Sequence, residues 1–108
     1  MKKITGVLSL EQAERMMAEN GGNLDLRGTA ITTLPEGLSV GGRLDLRGTA
    51  ITALPENLSV GGGLDLEGCT AITALPEGLT VGGYLDLRGT AITALPENLS
   101  VGGVTIRD

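Results

Sequence analysis

Asp25, Asp45, Asp65 and Asp86 recur at intervals of twenty or twenty-one residues, each inside the letters Leu-Asp-Leu. Two residues further on stands a second charged position, filled in turn by Arg27, Arg47, Glu67 and Arg88. Carboxylates repeated in this way suit a general acid and base pair for glycoside cleavage, an oxygen cage for a cation, or a lattice of ion pairs. The first needs a pocket that shifts proton affinity and excludes water, and a smooth outward face offers none. The lattice is the plainest expectation: stacked aspartates repel one another until the neighbouring arginines compensate, with a small contribution from each exposed pair.

The cation reading rests on GGGLDL at residues 61 to 66, which is similar to the GGxGxD calcium repeats of parallel β-rolls. Those recur every nine residues, whereas GGxLDL returns only every twenty. Calcium also takes six to eight oxygens, more than one Asp per repeat beside an Arg supplies. No metal and no cofactor is therefore expected. With no His there is no Ser-His or Cys-His pair and no imidazole zinc ligand. Neither G-x-x-x-x-G-K-[ST] nor G-x-G-x-x-G occurs, so the abundant Gly is turn glycine and no enzyme is expected. Cys69 is the one thiol, and Glu67 nearby disfavours a thiolate. It reads as the inserted residue of the third repeat, a bulged loop position, with a reactive thiol as the rival.

These residues are positioned by four near-identical units: GGNLDLRGTAITTLPEGLSV (21 to 40), GGRLDLRGTAITALPENLSV (41 to 60), GGGLDLEGCTAITALPEGLTV (61 to 81) and GGYLDLRGTAITALPENLSV (82 to 101). A period near twenty predicts a stacked solenoid in which no coil buries its apolar side alone. Leu-Asp-Leu alternates as a short strand, with Leu44 and Leu46 inward and Asp45 outward, and stacking sets such strands side by side in a parallel sheet about 4.8 Å apart. Ladders of Ile31, Ile51, Ile72, Ile92, of Leu34, Leu54, Leu75, Leu95, of Leu38, Leu58, Leu79, Leu99 and of Val40, Val60, Val81, Val101 fill the interior. Each Leu-Pro step favours an extended return, and the Gly pairs permit the corner before the next strand. Gly, Pro and β-branched residues interrupt every helical run inside a unit.

The stretch LDLRGTAITALPENL resembles a leucine-rich repeat, L-x-x-L-x-L-x-x-N-x-L, with Leu44, Leu46 and Ile51 at its fourth, sixth and eleventh positions. Leu54-Pro55 resembles the short repeats of bacterial leucine-rich proteins. Thr49 departs from the usual Asn, and Gly41 stands at the first Leu position beside Val40. The resemblance spans residues 21 to 107. It implies an α/β-type repeat solenoid, right-handed and parallel, with one short strand per coil, and a non-catalytic module for protein–protein interaction or scaffolding through its sheet face. Four nearly identical copies leave a second reading open: a structural or engineered consensus unit whose main activity is self-assembly.

On that face the column Asn23, Arg43, Gly63, Tyr84 varies while its neighbours repeat. A protein-binding face would comprise Asn23, Asp25, Arg27, Arg43, Asp45, Arg47, Asp65, Glu67, Tyr84, Asp86 and Arg88, with Tyr84 as anchor. The alternative is that the varying positions simply face water. Residues 1 to 20 stand apart from the 21 to 108 solenoid. Ser9 and Gln12 form a capping box, and Leu10, Ala13, Met16 and Met17 line one face of a helix that Asn20-Gly21 ends. This helix is expected to cap the first coil, with a partner-binding helix as the rival.

At the other end, GGVTIRD fits the strand pattern after deletion of one residue, so that Val104 and Ile106 take the places of Leu85 and Leu87 and Arg107 joins the Arg column. The exposed edge suggests a homodimer through the C-terminal coil, with a monomer as the alternative. The net charge is −5, and residues 21 to 108 hold five Arg against ten carboxylates, which disfavours nucleic acid and anionic membrane surfaces. The partner expected is another protein of unstated identity. Glu11 interrupts MKKITGVLSL before a signal-like apolar stretch develops, and no window is long enough to span a bilayer, so a cytoplasmic location is the default. The sequons at Asn57 and Asn98 read as turn chemistry.

Overall fold

The computed structural model describes residues 5 to 107; residues 1 to 4 of the expected N-terminal segment and Asp108 lie outside the described residues. Its elements are β1 (Thr5–Val7), α1 (Leu10–Glu19), β2 (Leu24–Asp25), β3 (Ala30–Thr33), β4 (Ser39–Val40), β5 (Leu44–Asp45), β6 (Ser59–Val60), β7 (Leu64–Asp65), β8 (Thr80–Val81), β9 (Leu85–Asp86), β10 (Ser100–Val101) and β11 (Thr105–Ile106). Parallel strands stack coil upon coil into a β-solenoid. Each full coil contributes to two sheets, ordered β2-β5-β7-β9-β11 and β4-β6-β8-β10. One strand per coil is thus corrected to two, and to three in the first coil, which also carries β3. The second arises because Ser-Val before each corner alternates outward and inward, as Leu-Asp does after it. Its backbone also bonds coil to coil, with Gly61 N donating to Val40 O at 2.7 Å and Gly82 N to Val60 O at 2.8 Å.

The inward ladders form one core. Leu24, Leu26, Ile31, Leu44, Leu46, Ile51, Leu64, Leu66, Ile72 and Leu85 are excluded from solvent, and Leu38, Leu58, Leu79, Val40, Val60 and Val81 close the opposite side. Each side chain stacks on its own kind in the next coil, so packing is solved once and repeated. Protection weakens towards the last coil, where Leu99 and Val101 are half-buried and Leu95 is exposed. No helix forms within the repeats among the described residues.

The first Gly pair, Gly21 at φ 64° and Gly22 at φ 92°, takes left-handed backbone, and the later pairs work differently from the expectation. Gly41, Gly61, Gly82 and Gly102 do not adopt left-handed backbone. What Gly61, Gly82 and Gly102 need is the absence of a Cβ: one on Gly61 would collide with the Gly41 carbonyl, one on Gly82 with that of Gly61, and one on Gly102 with that of Gly82. The second glycines bond directly, Gly62 N to Gly42 O at 2.8 Å and Gly103 N to Gly83 O at 2.9 Å. Left-handed backbone is used after the first strand instead, as at Gly48 with φ 71°.

This glycine stack sets the register of the last strand. Thr105 pairs with Leu85 and Ile106 with Asp86, with no deletion. Val104 therefore falls in the Tyr84 column and Ile106 in the Asp column, correcting their expected places opposite Leu85 and Leu87. Arg107 leaves the Arg column and reaches Thr93 O at 3.5 Å. Gly102 and Gly103 can stack only upon Gly82 and Gly83, and that backbone fit overrides the apolar alternation.

Before the first coil, Ser9 Oγ accepts from Gln12 N and Gln12 Oε1 accepts from Ser9 N, both at 3.1 Å, which completes the capping box. Ala13 joins the core and Met16 and Met17 pack against it. Leu10 is exposed, a correction; Leu8, ahead of the helix, is buried instead. β1 pairs in parallel with β3 on the return side of the first coil, an element the periodicity does not show. No helix among the described residues is long and apolar enough to cross a membrane.

Candidate functional site

The charged face is built from one local motif. The Asp of each Leu-Asp-Leu accepts from the backbone N–H two residues on: Arg27 N to Asp25 Oδ1 at 3.2 Å, Arg47 N to Asp45 at 3.2 Å, Glu67 N to Asp65 at 3.2 Å, Arg88 N to Asp86 at 3.1 Å. Where that residue is Arg, its guanidinium folds back in a two-point clasp. Arg47 donates Nε to Asp45 Oδ1 at 2.9 Å and Nη2 to Oδ2 at 2.8 Å. Arg88 holds Asp86 at 3.0 and 2.7 Å, and Arg27 holds Asp25 at 3.0 and 2.9 Å. A planar fork facing a carboxylate is the strong form of such a bond.

Neighbouring coils share these groups. Asp45 Oδ2 also meets Arg27 Nε at 3.5 Å and Arg43 Nη2 at 3.3 Å. Asp65, whose own coil offers Glu67, is held from the second coil by Arg43 at 3.3 Å and Arg47 at 3.4 Å. The expected exposed lattice is corrected accordingly: Asp45, Asp65 and Asp86 are buried beneath the arginines, and only Asp25 stays open, its side chain 51% exposed against 6% for Asp45. The Arg27 clasp holds the Asp25 carboxyl below the usual carboxylate range, against the opposing effect of its burial, and Arg88 does the same for Asp86. The partnered carboxylates in turn raise the affinity of Arg27, Arg47 and Arg88 for their protons.

At the third coil Glu67 replaces the ladder Arg, and Asp65, Glu67 and Asp86 bring carboxylate oxygens within 4.8 Å of one another. This is a grouping that could hold a metal ion, which one Asp per repeat does not suggest. Arg43 and Arg47 already pair with Asp65, and Arg88 spans Asp86 at 2.7 Å and Glu67 at 3.7 Å. Cys69 is no bulge. Its backbone N bonds Leu66 O at 3.0 Å, as Thr49 N bonds Leu46 O at 3.2 Å, so it fills the Thr column and the extra residue lies in the turn at Thr70 and Ala71. The buried thiol donates to Leu46 O at 2.8 Å across the coil boundary.

The varying column is continuous, and its members are coupled rather than independent. Asn23 Oδ1 accepts from Arg43 N at 2.8 Å. The Tyr84 ring lies over Gly63, where any Cβ would meet it, and Gly63 is buried as a result. Val104 continues the column and is 66% exposed, while Ile106 is half-buried. At the first coil's end the face is not smooth. A depression of about 310 Å³ is lined by Asn20, Asn23, Leu24, Asp25, Arg27, Arg43, Asp45 and Arg47. Asn20 and Leu24 are not legible as site residues in the sequence, because only the fold brings the end of α1 beside the first strand. A second coupling also escapes a reading of single units: the Asn57 side chain sits against Gly78, so the alternation Gly37, Asn57, Gly78, Asn98 sets large residues against small ones.

Comparison with protein-family models, with curated proteins and with solved structures finds no match to this chain.

Proposed function

We propose that the chain is a right-handed leucine-rich-repeat solenoid, capped at its N-terminal end by α1, that acts as a non-catalytic protein-binding or scaffolding module through its Asp and Arg face. The observation that carries this reading is the order of that face. Guanidiniums of Arg27, Arg47 and Arg88 are clasped at two points by aspartates, so their outward donors are held still at little further entropic cost on binding. The lone aromatic ring, Tyr84, rests on the Gly63 platform of the same face. Aromatic and Arg side chains held in this way are what interface centres use.

The test is capture of a partner by the wild-type chain and by a Tyr84→Ala, Arg43→Ala variant. Loss of the captured protein with unchanged far-UV circular dichroism supports the reading; equal capture by both chains overturns it.

The exposure of Val104 and Leu95 favours a second reading, a homodimer through the last coil. Light scattering at rising concentration decides it: a dimer that Val104→Asp dissociates supports the reading, and a monomer throughout excludes it.

A further inference from the structure

We infer that the depression at the first coil is a receptor for an arginine side chain of a partner protein, with Asp25 as its anchor. This rests on the proposed binding face and names the chemistry recognised at its N-terminal end.

The repeat itself supplies the template. Asp45 Oδ2 collects three guanidinium contacts: Nη2 of Arg47 from its own clasp, Nε of Arg27 from the preceding coil, and Nη2 of Arg43 from the variable column. Among the described residues, the equivalent oxygen of Asp25 receives the clasp alone, from Arg27 Nη2 at 2.9 Å. The two contacts that Asp25 lacks are both guanidinium nitrogens. Its variable-column neighbour is Asn23, whose side-chain oxygen is engaged with Arg43 N, and the segment preceding it is α1 rather than another coil. Asp25, whose carboxylate keeps lone pairs beyond those used in the clasp, lines the depression.

The end of α1 favours a cation. Asn20, the C-cap of α1, lines the same depression, so the negative end of the helix dipole lies beside it, and the last turn of α1 carries no basic residue. Arg27, Arg43 and Arg47 line it against Asp25 and Asp45, but each arginine is already paired with a carboxylate, Arg43 and Arg47 also with Asp65 outside the lining. One more guanidinium continues the alternation of charge that the interior coils already tolerate. The chain's net charge of −5 draws a basic segment towards it. A guanidinium suits the site better than an ammonium, since every cationic contact that Asp45 Oδ2 receives comes from a guanidinium nitrogen.

The probe is the peptide acetyl-Gly-Arg-Gly-amide, titrated into isotope-labelled protein and followed by amide chemical shifts. Saturable shifts are expected at Asn20, Asn23, Asp25 and Arg27. Asp25→Asn, which leaves the backbone fold in place as judged by the remaining signals, is expected to weaken the site at least about fivefold. The lysine peptide should bind more weakly than the arginine peptide. The inference is overturned if shifts do not saturate, if Asp25→Asn leaves them unchanged, if lysine binds equally well, or if acetyl-Gly-Glu-Gly-amide binds better. Tyr84→Ala separates the two readings. It should leave this titration intact, so a failed titration beside Tyr84-dependent capture removes the arginine receptor and leaves the binding module standing.

Discussion

The second and fourth coils spell the same fourteen letters, RGTAITALPENLSV, at residues 47 to 60 and 88 to 101, yet they are not the same structure. Leu54 is 6% exposed and its counterpart Leu95 is 37% exposed; Thr49 is buried and Thr90 only partly. Asn57 holds left-handed backbone at φ 61°, and among the described residues no other non-glycine does, Asn98 included. The difference lies in the next layer of the stack. The third coil covers the second, and Asn57 N reaches Glu77 O at 3.0 Å, whereas among the described residues the fourth coil is covered only by the short last strand. Identical local sequence thus takes its burial, and part of its backbone conformation, from its neighbour in the stack.

The largest test of that contrast is to delete the same side chain twice. Leu54→Ala should cost about 3 kcal/mol, since the second coil is held on both sides and cannot collapse around the cavity. Leu95→Ala should cost about 1 kcal/mol, because solvent already reaches that side chain. Urea unfolding of both variants measures the pair, and equal losses would mean that the stack does not determine burial. Next in size is the glycine corner. Gly61→Ala drives a methyl into the Gly41 carbonyl, and about 2 kcal/mol is expected from the forced separation of coils. Gly41→Ala meets nothing within 4 Å and should be close to neutral, although both glycines occupy the same place in the repeat.

That pair also shows where sequence reading works and where it ends. The Ile, Leu and Val ladders are legible because a buried column repeats its letter, and every member from Ile31 to Val81 is in the core. The capping box is legible because it is a local bond between residues three apart. The second sheet, the pairing of β1 with β3 and the register of β11 are not, because each depends on backbone groups of different coils meeting. The charged face is half legible: the letters Asp-x-Arg show the pair, but not that the guanidinium folds over the carboxylate and buries it. Cys69 is misplaced by its letters for a related reason, since an added residue can be assigned to several positions until its hydrogen bonds choose one.

The buried clasp on Asp86 and the open clasp on Asp25 respond differently to pH. The folded-state affinity of Asp86 for a proton is lowered by Arg88, so its contribution is present above the ordinary Asp value of about 4 and is lost as pH falls through the lower folded value. Stability should therefore decline below about pH 4, and Asp86→Asn should flatten that decline by no more than about 1 kcal/mol once the exposure of the Arg88 guanidinium is allowed for. Asp25→Asn should flatten it less, because Asp25 and Arg27 are both half in solvent. Urea midpoints at a series of acidic pH values measure both, and a larger effect at Asp25 would reverse the assigned order.

The smallest effect returns to the two asparagines. A non-glycine residue in left-handed backbone costs about 1 kcal/mol, and Asn bears it better than residues without a short polar side chain. Asn57→Ala should then destabilise by about 0.5 to 1 kcal/mol, while Asn98→Ala, outside that region, should stay within about 0.3 kcal/mol of wild type. Asn57→Gly removes the backbone cost but also the side chain that packs on Gly78, so it should fall between wild type and Asn57→Ala. If the two Ala variants were equally stable, the conformation of Asn57 would belong to the letters Pro-Glu-Asn-Leu themselves. A difference in the expected direction assigns it to the covering coil, whose Glu77 carbonyl takes the Asn57 backbone N–H, a bond that Asn98 does not make among the described residues.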